Sequence, residues 1–116
     1  MRRGDIVTVA LEPARGQEAS KTRPAVIVSN DAANGTATRL GRGVVTVVPV
    51  TTSTGRIYPF QVLLPARLTG LREDSKAQAE QVRSVTVERI GNRIGQLPAS
   101  LMAELDQALR IHLSLE

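Results

Sequence analysis

An arginine, a glutamate and a run of hydroxyl side chains are the groups in this sequence best suited to phosphate chemistry. Arg23 stands before Pro24 at the start of the apolar run AVIV, and Glu18 precedes Arg23 by five positions. Thr51 closes a second apolar run and opens the hydroxyl-rich sequence TTST. A guanidinium can hold two phosphate oxygens at once, and hydroxyls can donate to a further oxygen. The alternative for Arg23 is a solvated side chain that only begins a strand.

The remaining reactive residues narrow the choice of mechanism. His112 is the single histidine and shares a predicted helix face with leucines, where a structural role is the simpler interpretation. The sequence has no cysteine, which excludes disulfides and thiolate chemistry. It also lacks the HExxH, P-loop and dinucleotide-binding motifs. We therefore expect no metal ion and no cofactor, and a two-histidine ribonuclease mechanism is excluded within one subunit.

The length and charge of the chain limit the kind of protein it can be. Its 116 residues predict one domain, residues 1–116, with one core. A net charge of +4 favours a polyanionic partner, although a basic surface alone is weak support. Aromatic residues make up only 2%, so we expect any nucleic-acid contact to depend on charge and hydrogen bonds. No apolar run is long enough to cross a bilayer, which together with the absence of cysteine predicts a cytoplasmic protein.

Period-two patterns predict that much of the chain is strand. The alternating sequence DIVTVAL over residues 5–11 starts the sheet, and the run at residues 25–28 is too apolar to be an edge strand. Pro24 pushes Arg23 toward extended geometry at the rim of that central strand. Between the two strands, residues 12–22 form a polar loop long enough to carry function.

The second half of the chain adds further strands and one long helix. Asn30 supplies cap chemistry, and the Ala-, Asn- and Gly-rich residues 31–41 predict a short helical turn followed by an irregular connection. Pro49, inside a strand at residues 43–51, predicts a bulge or a pairing gap. Extended chain is also expected at residues 58–64, 75–87 with a kink, and 94–97. From Pro98 the apolar period becomes helical, so the expected fold is a small, bent β-sheet with an amphipathic C-terminal helix packed on it.

Four short motifs occur in a fixed order along nearly the whole chain. They are GDIV near the start, the loop-to-strand join G-x-E-x-x-x-x-R-P-A-V, the strand end P-V-T, and the segment EQVRS. Each motif alone is a weak signal. In this order and spacing, the sequence resembles the MazF/PemK family of toxin endoribonucleases from bacterial type II toxin–antitoxin systems.

The resemblance implies a fold, an activity and a set of site residues. The fold would be a compact SH3-like β-barrel with a C-terminal α-helix, as in the CcdB/Kid/MazF-like proteins, and the protein would act as a homodimer. The activity would be metal-independent cleavage of single-stranded RNA at a short sequence, leaving a 2′,3′-cyclic phosphate and a 5′-hydroxyl. The family motif carries the catalytic arginine onto Arg23, its threonine partner onto Thr51, and a proton acceptor proposed in some members onto Glu18.

RNA recognition is expected to involve polar residues around this set. The candidates are Lys21, Thr52, Ser53, Arg56, Gln78, Gln81 and Arg83. Gln81 and Arg83 can read exposed base edges. The alternative for each candidate is an ordinary solvated side chain.

The resemblance also implies a protein partner and leaves two other functions open. The partner is a cognate antitoxin whose flexible acidic tail lies along the basic groove and covers Arg23. One alternative function is a DNA gyrase inhibitor of the CcdB type, although the C-terminal sequence HLSLE lacks an aromatic anchor. The other is a non-catalytic RNA-binding barrel, for which the basic charge would suffice.

Overall fold

The computed structural model describes residues 1–12 and 21–116, apart from the side chains of Glu12 and Lys21. Its strands are β1 (Asp5–Glu12), β2 (Lys21–Ile27), β3 (Val44–Thr51), β4 (Gln61–Leu64), β5 (Ser75–Gln78), β6 (Arg83–Thr86) and β7 (Ile90–Gln96). Its α-helices are α1 (Asp31–Leu40), α2 (Ala66–Thr69) and α3 (Ala99–Leu113), and short 3-10 turns cover Ala79–Gln81 and Val87–Arg89. The described chain is mainly β with a C-terminal helix, which confirms the fold class predicted from the sequence.

Strand β2 lies at the centre of the sheet. Antiparallel pairing follows the order β4, β5, β3, β2, β1, β7, and β6 also pairs with β3. Ala25, Val26 and Ile27 are completely buried, which confirms that β2 is not an edge strand. The order ends at β4 and β7, so over the described residues the sheet is open rather than closed into a barrel.

Two apolar clusters cover the two faces of this sheet. Successive strand residues point to opposite faces, so Val26 belongs to one cluster while Ala25 and Ile27 belong to the other. The first cluster includes Leu105 of α3, and the second includes Ala37 of α1. Burial on both faces makes β2 a rigid support for whatever stands at its ends.

Strand β3 changes its partner along its length. Residues 44–47 pair with β6, and residues 50–51 pair with β5. Pro49 falls in the gap between these two partners, while it still faces Ala25 of β2 on the other side. Because proline lacks a backbone N–H, such a gap is where a strand tolerates it. The pairing gap predicted from Pro49 is confirmed.

The segment after β2 is a helix of 10 residues, not the short turn and irregular connection that its composition predicts. The predicted cap is present, because the Asn30 side chain accepts from the backbone N–H of Ala33 at 2.8 Å. Gly41 ends the helix in the left-handed conformation at φ 66°. In addition, Asn34 is completely buried and its amide donates to the Ser29 carbonyl at 2.8 Å. These caps and this buried anchor outweigh the low helix propensity of the segment.

Asp31 connects the start of α1 to the N-terminal segment. The backbone N–H of Arg3 donates to Asp31 Oδ1 at 2.7 Å. This hydrogen bond is the main reason that the pKa of the Asp31 carboxyl lies below its ordinary value, with smaller contributions from the Asn34 amide and from the charges of Arg2 and Arg3. The Arg3 guanidinium also donates to Asp106 of α3 at 2.6 Å. Arg3 therefore links the N-terminal segment to both α1 and α3.

Several strand boundaries differ from the predicted ones. β1 extends to Glu12 and β2 begins at Lys21, so both strands enter the loop predicted at residues 12–22, because their pairing continues to these residues. β4 begins at Gln61, so Tyr58 and Phe60 lie in the loop that precedes it rather than in a strand. Pro59 is the local reason, because it removes a ladder donor at the point where the predicted strand would continue. β7 begins at Ile90, earlier than predicted, because pairing with β1 extends the strand beyond its apolar residues.

Helix α3 is the amphipathic C-terminal helix that the sequence predicts. Leu101, Leu105 and Ala108 are buried against the sheet, and Pro98 stands at its N-cap. His112 is exposed near the end of the helix. None of the helices within residues 1–12 and 21–116 is long and apolar enough to span a membrane.

Candidate active site

Strand β2 holds Arg23 at the rim of the sheet. Arg23 faces Val9 of β1, and Pro24 faces Thr8. The ladder with β1 therefore fixes the Arg23 backbone, while its side chain is exposed to solvent. This is the placement that the sequence predicts for a guanidinium presented by a rigid strand.

Strand β3 ends at Thr51, which faces Lys76 of β5. The Thr51 side chain is half-buried, and its Oγ1 accepts a hydrogen bond from the backbone N–H of Ser53 at 3.2 Å. A hydroxyl that accepts in this way keeps its own proton free to donate. The Ser53 N–H therefore holds the Thr51 oxygen and leaves the hydroxyl proton available to donate.

Arg23 and Thr51 line the same pocket, a cavity of about 270 Å³. Its lining residues are Arg23, Pro24, Val50, Thr51, Thr52 and Ser75. The Arg23 guanidinium and the hydroxyls of Thr51 and Thr52 around one cavity are a donor set suited to an oxyanion. The structure thus brings together three residues that the sequence predicts for the site: Arg23, Thr51 and Thr52.

Ser75 belongs to this pocket although nothing in the sequence marks it. It opens β5, where it faces Leu64 of β4, and its side chain is buried. Its hydroxyl donates to the Glu73 carbonyl at 3.0 Å. Ser75 reaches the pocket only because β5 pairs with both β3 and β4. A local pattern cannot reveal such a long-range pairing.

The other predicted site residues are not part of the pocket lining or lie outside the described part of the chain. Glu18 falls outside the described residues, and Lys21 begins β2 with its side chain outside them as well. The following predicted residues are described but do not line the pocket: Ser53 and Arg56 in the loop after β3, Gln78 at the end of β5, Gln81 in the first 3-10 turn, and Arg83 in β6.

Arg83 has a structural contact of its own. Its guanidinium donates to the Leu11 carbonyl at 3.4 Å, and the Arg89 guanidinium donates to the Ala10 carbonyl at 3.5 Å. The pairing of β1 with β2 shifts register between Ala10 and Glu12, and a bulge of this kind leaves backbone groups without ladder partners. Arg83 therefore supplies a hydrogen-bond donor to the backbone at the end of β1, which precedes the segment that contains Glu18.

Acidic and imidazole groups are scattered in the described structure. Within residues 1–12 and 21–116, no three His, Asp or Glu side chains come together in a way that could hold a metal ion. The donor set of the pocket is one of guanidinium and hydroxyl groups, which favour anions over cations.

Sequence comparison identifies relatives along nearly the whole chain. A family model described as PemK-like, MazF-like toxin of type II toxin–antitoxin system matches residues 2–113. Endoribonuclease MazF9 of Mycobacterium tuberculosis is 62% identical over 115 residues, which are 99% of this chain and 98% of that protein. Endoribonuclease EndoA of Bacillus subtilis is 28% identical over 115 residues, which are 99% of this chain and 96% of that protein.

Solved structures of similar fold agree with these relatives. The MazE–MazF structure (Form-II) from Deinococcus radiodurans has a TM-score of 0.77 at 30% identity and covers 100% of this chain and 97% of that chain. The Mycobacterium tuberculosis toxin MazF-mt6 has a TM-score of 0.76 at 27% identity and covers 97% of this chain and 98% of that chain.

These comparisons agree with the motif order that the sequence shows. The relatives are named endoribonucleases, which does not favour the gyrase-inhibitor alternative. The family match and the identity to MazF9 both extend over nearly the full length. The chain therefore belongs to the PemK-like, MazF-like toxin family of type II toxin–antitoxin systems.

Proposed function

We propose that this toxin binds the scissile phosphate of single-stranded RNA in the pocket of Arg23 and Thr51 and cleaves it without a metal ion. The protein is an endoribonuclease of its family. The observation that carries the proposal is that Arg23 and Thr51, on neighbouring strands, line one cavity. A guanidinium and a hydroxyl there can supply donors to the equatorial phosphate oxygens, where negative charge develops.

The reaction that suits these donors is an internal transfer at phosphorus. The 2′-oxygen forms a bond to the adjacent phosphorus as the bond to the 5′-oxygen breaks, which gives a 2′,3′-cyclic phosphate and a 5′-hydroxyl. The 2′-hydroxyl must lose its proton, and the leaving 5′-oxygen must gain one. Arg23 neutralises the developing charge through two parallel hydrogen bonds, and Thr51 adds a third donor.

The proton transfers need other groups. Guanidinium groups do not release a proton near neutral pH, so Arg23 acts by electrostatic stabilisation rather than as the general acid. Glu18 is the proposed acceptor of the 2′-hydroxyl proton, on the strength of its position in the loop-to-strand motif. The Glu18 segment follows β1, whose end carries the contacts of Arg83 and Arg89.

RNA flanking the cleaved bond is proposed to contact the polar residues around the pocket. Thr52 lines the pocket, and Ser53 and Arg56 continue the same loop. Together with Lys21, Gln78, Gln81 and Arg83, they form the proposed RNA-binding set. All of these side chains are polar and three are cationic, which suits contacts to phosphates and to base edges.

Two protein partners complete the proposal. A cognate antitoxin with an acidic, flexible tail covers Arg23 and blocks cleavage, and the net charge of +4 supports an acidic partner. The Deinococcus radiodurans relative of this fold has been solved as a MazE–MazF complex. A second copy of the chain forms a homodimer, which light scattering coupled to size exclusion would detect as twice the mass of one chain.

The deciding experiment compares three proteins on one long single-stranded RNA in excess EDTA. They are the wild type, Arg23→Ala, and the matched control Arg39→Ala, which removes one positive charge from an exposed position on α1. The expected result is discrete cuts with 5′-hydroxyl ends from the wild type and from Arg39→Ala, and none from Arg23→Ala. Thermal unfolding of all three proteins checks that each is folded.

Other results would contradict the proposal in distinct ways. A folded wild type that binds RNA without cutting it would indicate the non-catalytic RNA-binding barrel. A folded wild type that neither binds nor cuts RNA would lead to a gyrase supercoiling assay. Cleavage that survives in Arg23→Ala would remove Arg23 from the catalytic role.

A further inference from the structure

Lys76 of β5 is a buried lysine next to the Arg23 pocket. It is only 8% exposed, whereas lysines are almost never fully buried unless an opposite charge is near. The chain has one other lysine, Lys21, among its 15 basic residues. A buried ammonium costs free energy that its surroundings must offset. The surroundings of Lys76 therefore indicate what this side chain does.

The described structure pairs Lys76 with a carbonyl and not with a carboxylate. Its ammonium donates to the Arg56 carbonyl at 2.8 Å, which uses one of its three N–H groups. Among the side chains that the structure describes, neither of the two ion pairs includes Lys76. One carbonyl dipole does not neutralise a unit charge. Lys76 therefore keeps a positive charge at a buried position with no described carboxylate paired to it.

The carboxylates that lie near Lys76 along the chain have other surroundings. Asp74 accepts from the first backbone N–H of α2 at 2.8 Å. Glu80 accepts from the Gln61 amide at 2.7 Å. Glu73 is exposed to solvent. The anion that would offset the buried charge of Lys76 is therefore not supplied by this segment, and a bound ligand can supply it.

Lys76 adjoins the lining of the Arg23 pocket at two points. It follows Ser75 along β5, and it stands opposite Thr51 across the β3–β5 ladder. Both of these neighbours line the pocket, whereas Lys76 does not. Opposite residues of an antiparallel pair point to the same face with Cβ atoms about 4.5 to 5.5 Å apart, which is less than the ~8 Å screening length of physiological salt. The Lys76 charge is therefore placed to act on an anion in the pocket without touching it.

We propose that Lys76 is a second cation of the active site, which stabilises the phosphate bound by Arg23 through its electric field rather than by contact. The phosphodiester carries one negative charge, and more charge collects on its oxygens as the 2′-oxygen attacks. A fixed, buried positive charge therefore stabilises the transition state more than it stabilises bound RNA. Lys76 is not a catalytic residue, because it does not touch the reacting atoms. This inference rests on the proposed ribonuclease function and adds a supporting charge to its pocket.

Three substitutions separate the charge of Lys76 from its hydrogen bond to the Arg56 carbonyl. Lys76→Arg keeps both, Lys76→Gln keeps an N–H donor without the charge, and Lys76→Met keeps neither. We expect Lys76→Gln and Lys76→Met to lower the single-turnover cleavage rate of bound RNA by about 2- to 30-fold, the range for a unit charge ~8 Å away in surroundings between water and protein. The half-saturating protein concentration should change less than this rate. Lys76→Arg should cleave at close to the wild-type rate, as should the matched control Arg39→Ala, and thermal unfolding checks that each variant is folded.

The wild-type protein offers an independent test, because its only lysines are Lys21 and Lys76. Lysine labelled with ¹³C at the ε-carbon gives two NMR signals, and Lys76→Arg identifies the signal of Lys76 by its loss. Inorganic phosphate is the probe, since it has no base and can report only on anion binding. We expect a saturable shift of the Lys76 signal in the wild type. The shift should be absent in Arg23→Ala, which lacks the guanidinium that holds the anion in the pocket.

Several results would overturn the inference. A wild-type cleavage rate in Lys76→Gln would mean that Lys76 only anchors the loop at Arg56, and a Lys76→Arg rate as low as that of Lys76→Met would exclude its charge as the cause. A Lys76 signal that phosphate leaves unchanged, or shifts equally in Arg23→Ala, would separate Lys76 from the pocket. In each of these cases, cleavage that depends on Arg23 would leave the proposed function standing. A wild type that neither binds nor cuts RNA would end the proposed function and this inference together.

Discussion

Arg23 of β2 and Thr51 of β3 stand opposite each other just beyond the end of the β2–β3 ladder. The β2–β3 ladder ends where Ala25 faces Pro49, and Arg23 and Thr51 are each two residues further on. Residues two apart on a strand point to the same face. The guanidinium and the hydroxyl thus leave the same face of the sheet side by side, next to a core that cannot shift easily. This arrangement is more precise than one built on loops.

Arg23→Lys tests whether the guanidinium fork matters beyond its charge. Lysine keeps the positive charge but offers a point donor instead of two parallel N–H groups. We expect the cleavage rate of bound RNA to fall by about 10²- to 10³-fold, the range seen when a single oxyanion donor is lost. Arg23 is exposed, so the free energy of unfolding should change by less than about 0.5 kcal/mol. Single-turnover cleavage and chemical denaturation measure the two effects.

A large loss of stability in Arg23→Lys would contradict this assignment. It would mean that the arginine acts through the fold rather than on the phosphate. Unchanged cleavage would show that charge alone suffices at position 23.

Thr51→Val and Thr51→Ser form a pair that isolates the hydroxyl. Valine removes both the donor to phosphate and the acceptor for the Ser53 N–H, whereas serine retains both. We expect Thr51→Val to lower the cleavage rate by up to about 10²-fold. We expect Thr51→Ser to remain close to the wild type. Equal rates in the two variants would exclude the hydroxyl from the reaction.

The strands that support this site were predictable because their signals are local. The alternating run of β1 and the β-branched run of β2 each identify a strand without reference to the rest of the chain. The Arg23-Pro24 pair likewise predicts an arginine with extended backbone near the start of a strand. Local patterns could not predict that Thr51 lies beside Arg23. The position of Thr51 depends on the β2–β3 register and on the exchange of β6 for β5 as the neighbour of β3 around Pro49.

The structural expectations that were wrong have non-local causes, to which Pro59 adds a local one at the start of β4. Helix α1 depends on the buried amide of Asn34, which bonds to the Ser29 carbonyl outside the helix. The position of Tyr58 depends on Lys76 and Gln61, which belong to β5 and β4.

Asp31 predicts a specific effect of pH on stability. Its pKa is lowered in the folded protein, chiefly by the hydrogen bond from the Arg3 backbone. A carboxyl with a lowered pKa stabilises the fold above its unfolded pKa, and this contribution disappears as the pH falls through the folded value. In chemical denaturation, the stability advantage of the wild type over Asp31→Asn should be constant above about pH 5 and shrink below about pH 4. An advantage independent of pH would contradict this origin.

Gly35 and Gly95 predict opposite effects of the same substitution. Gly35 lies inside α1 with no atom within 4 Å of an added Cβ, so Gly35→Ala should gain about 0.5 to 1 kcal/mol from helix propensity. At Gly95 of β7, an added Cβ would collide with the backbone carbonyl of Thr69 and press on Ile6 in the core. Because a backbone atom cannot yield as a side chain does, Gly95→Ala should lose about 1 to 3 kcal/mol. Chemical denaturation measures both changes, and equal effects of the two substitutions would contradict the packing of β7 against α2.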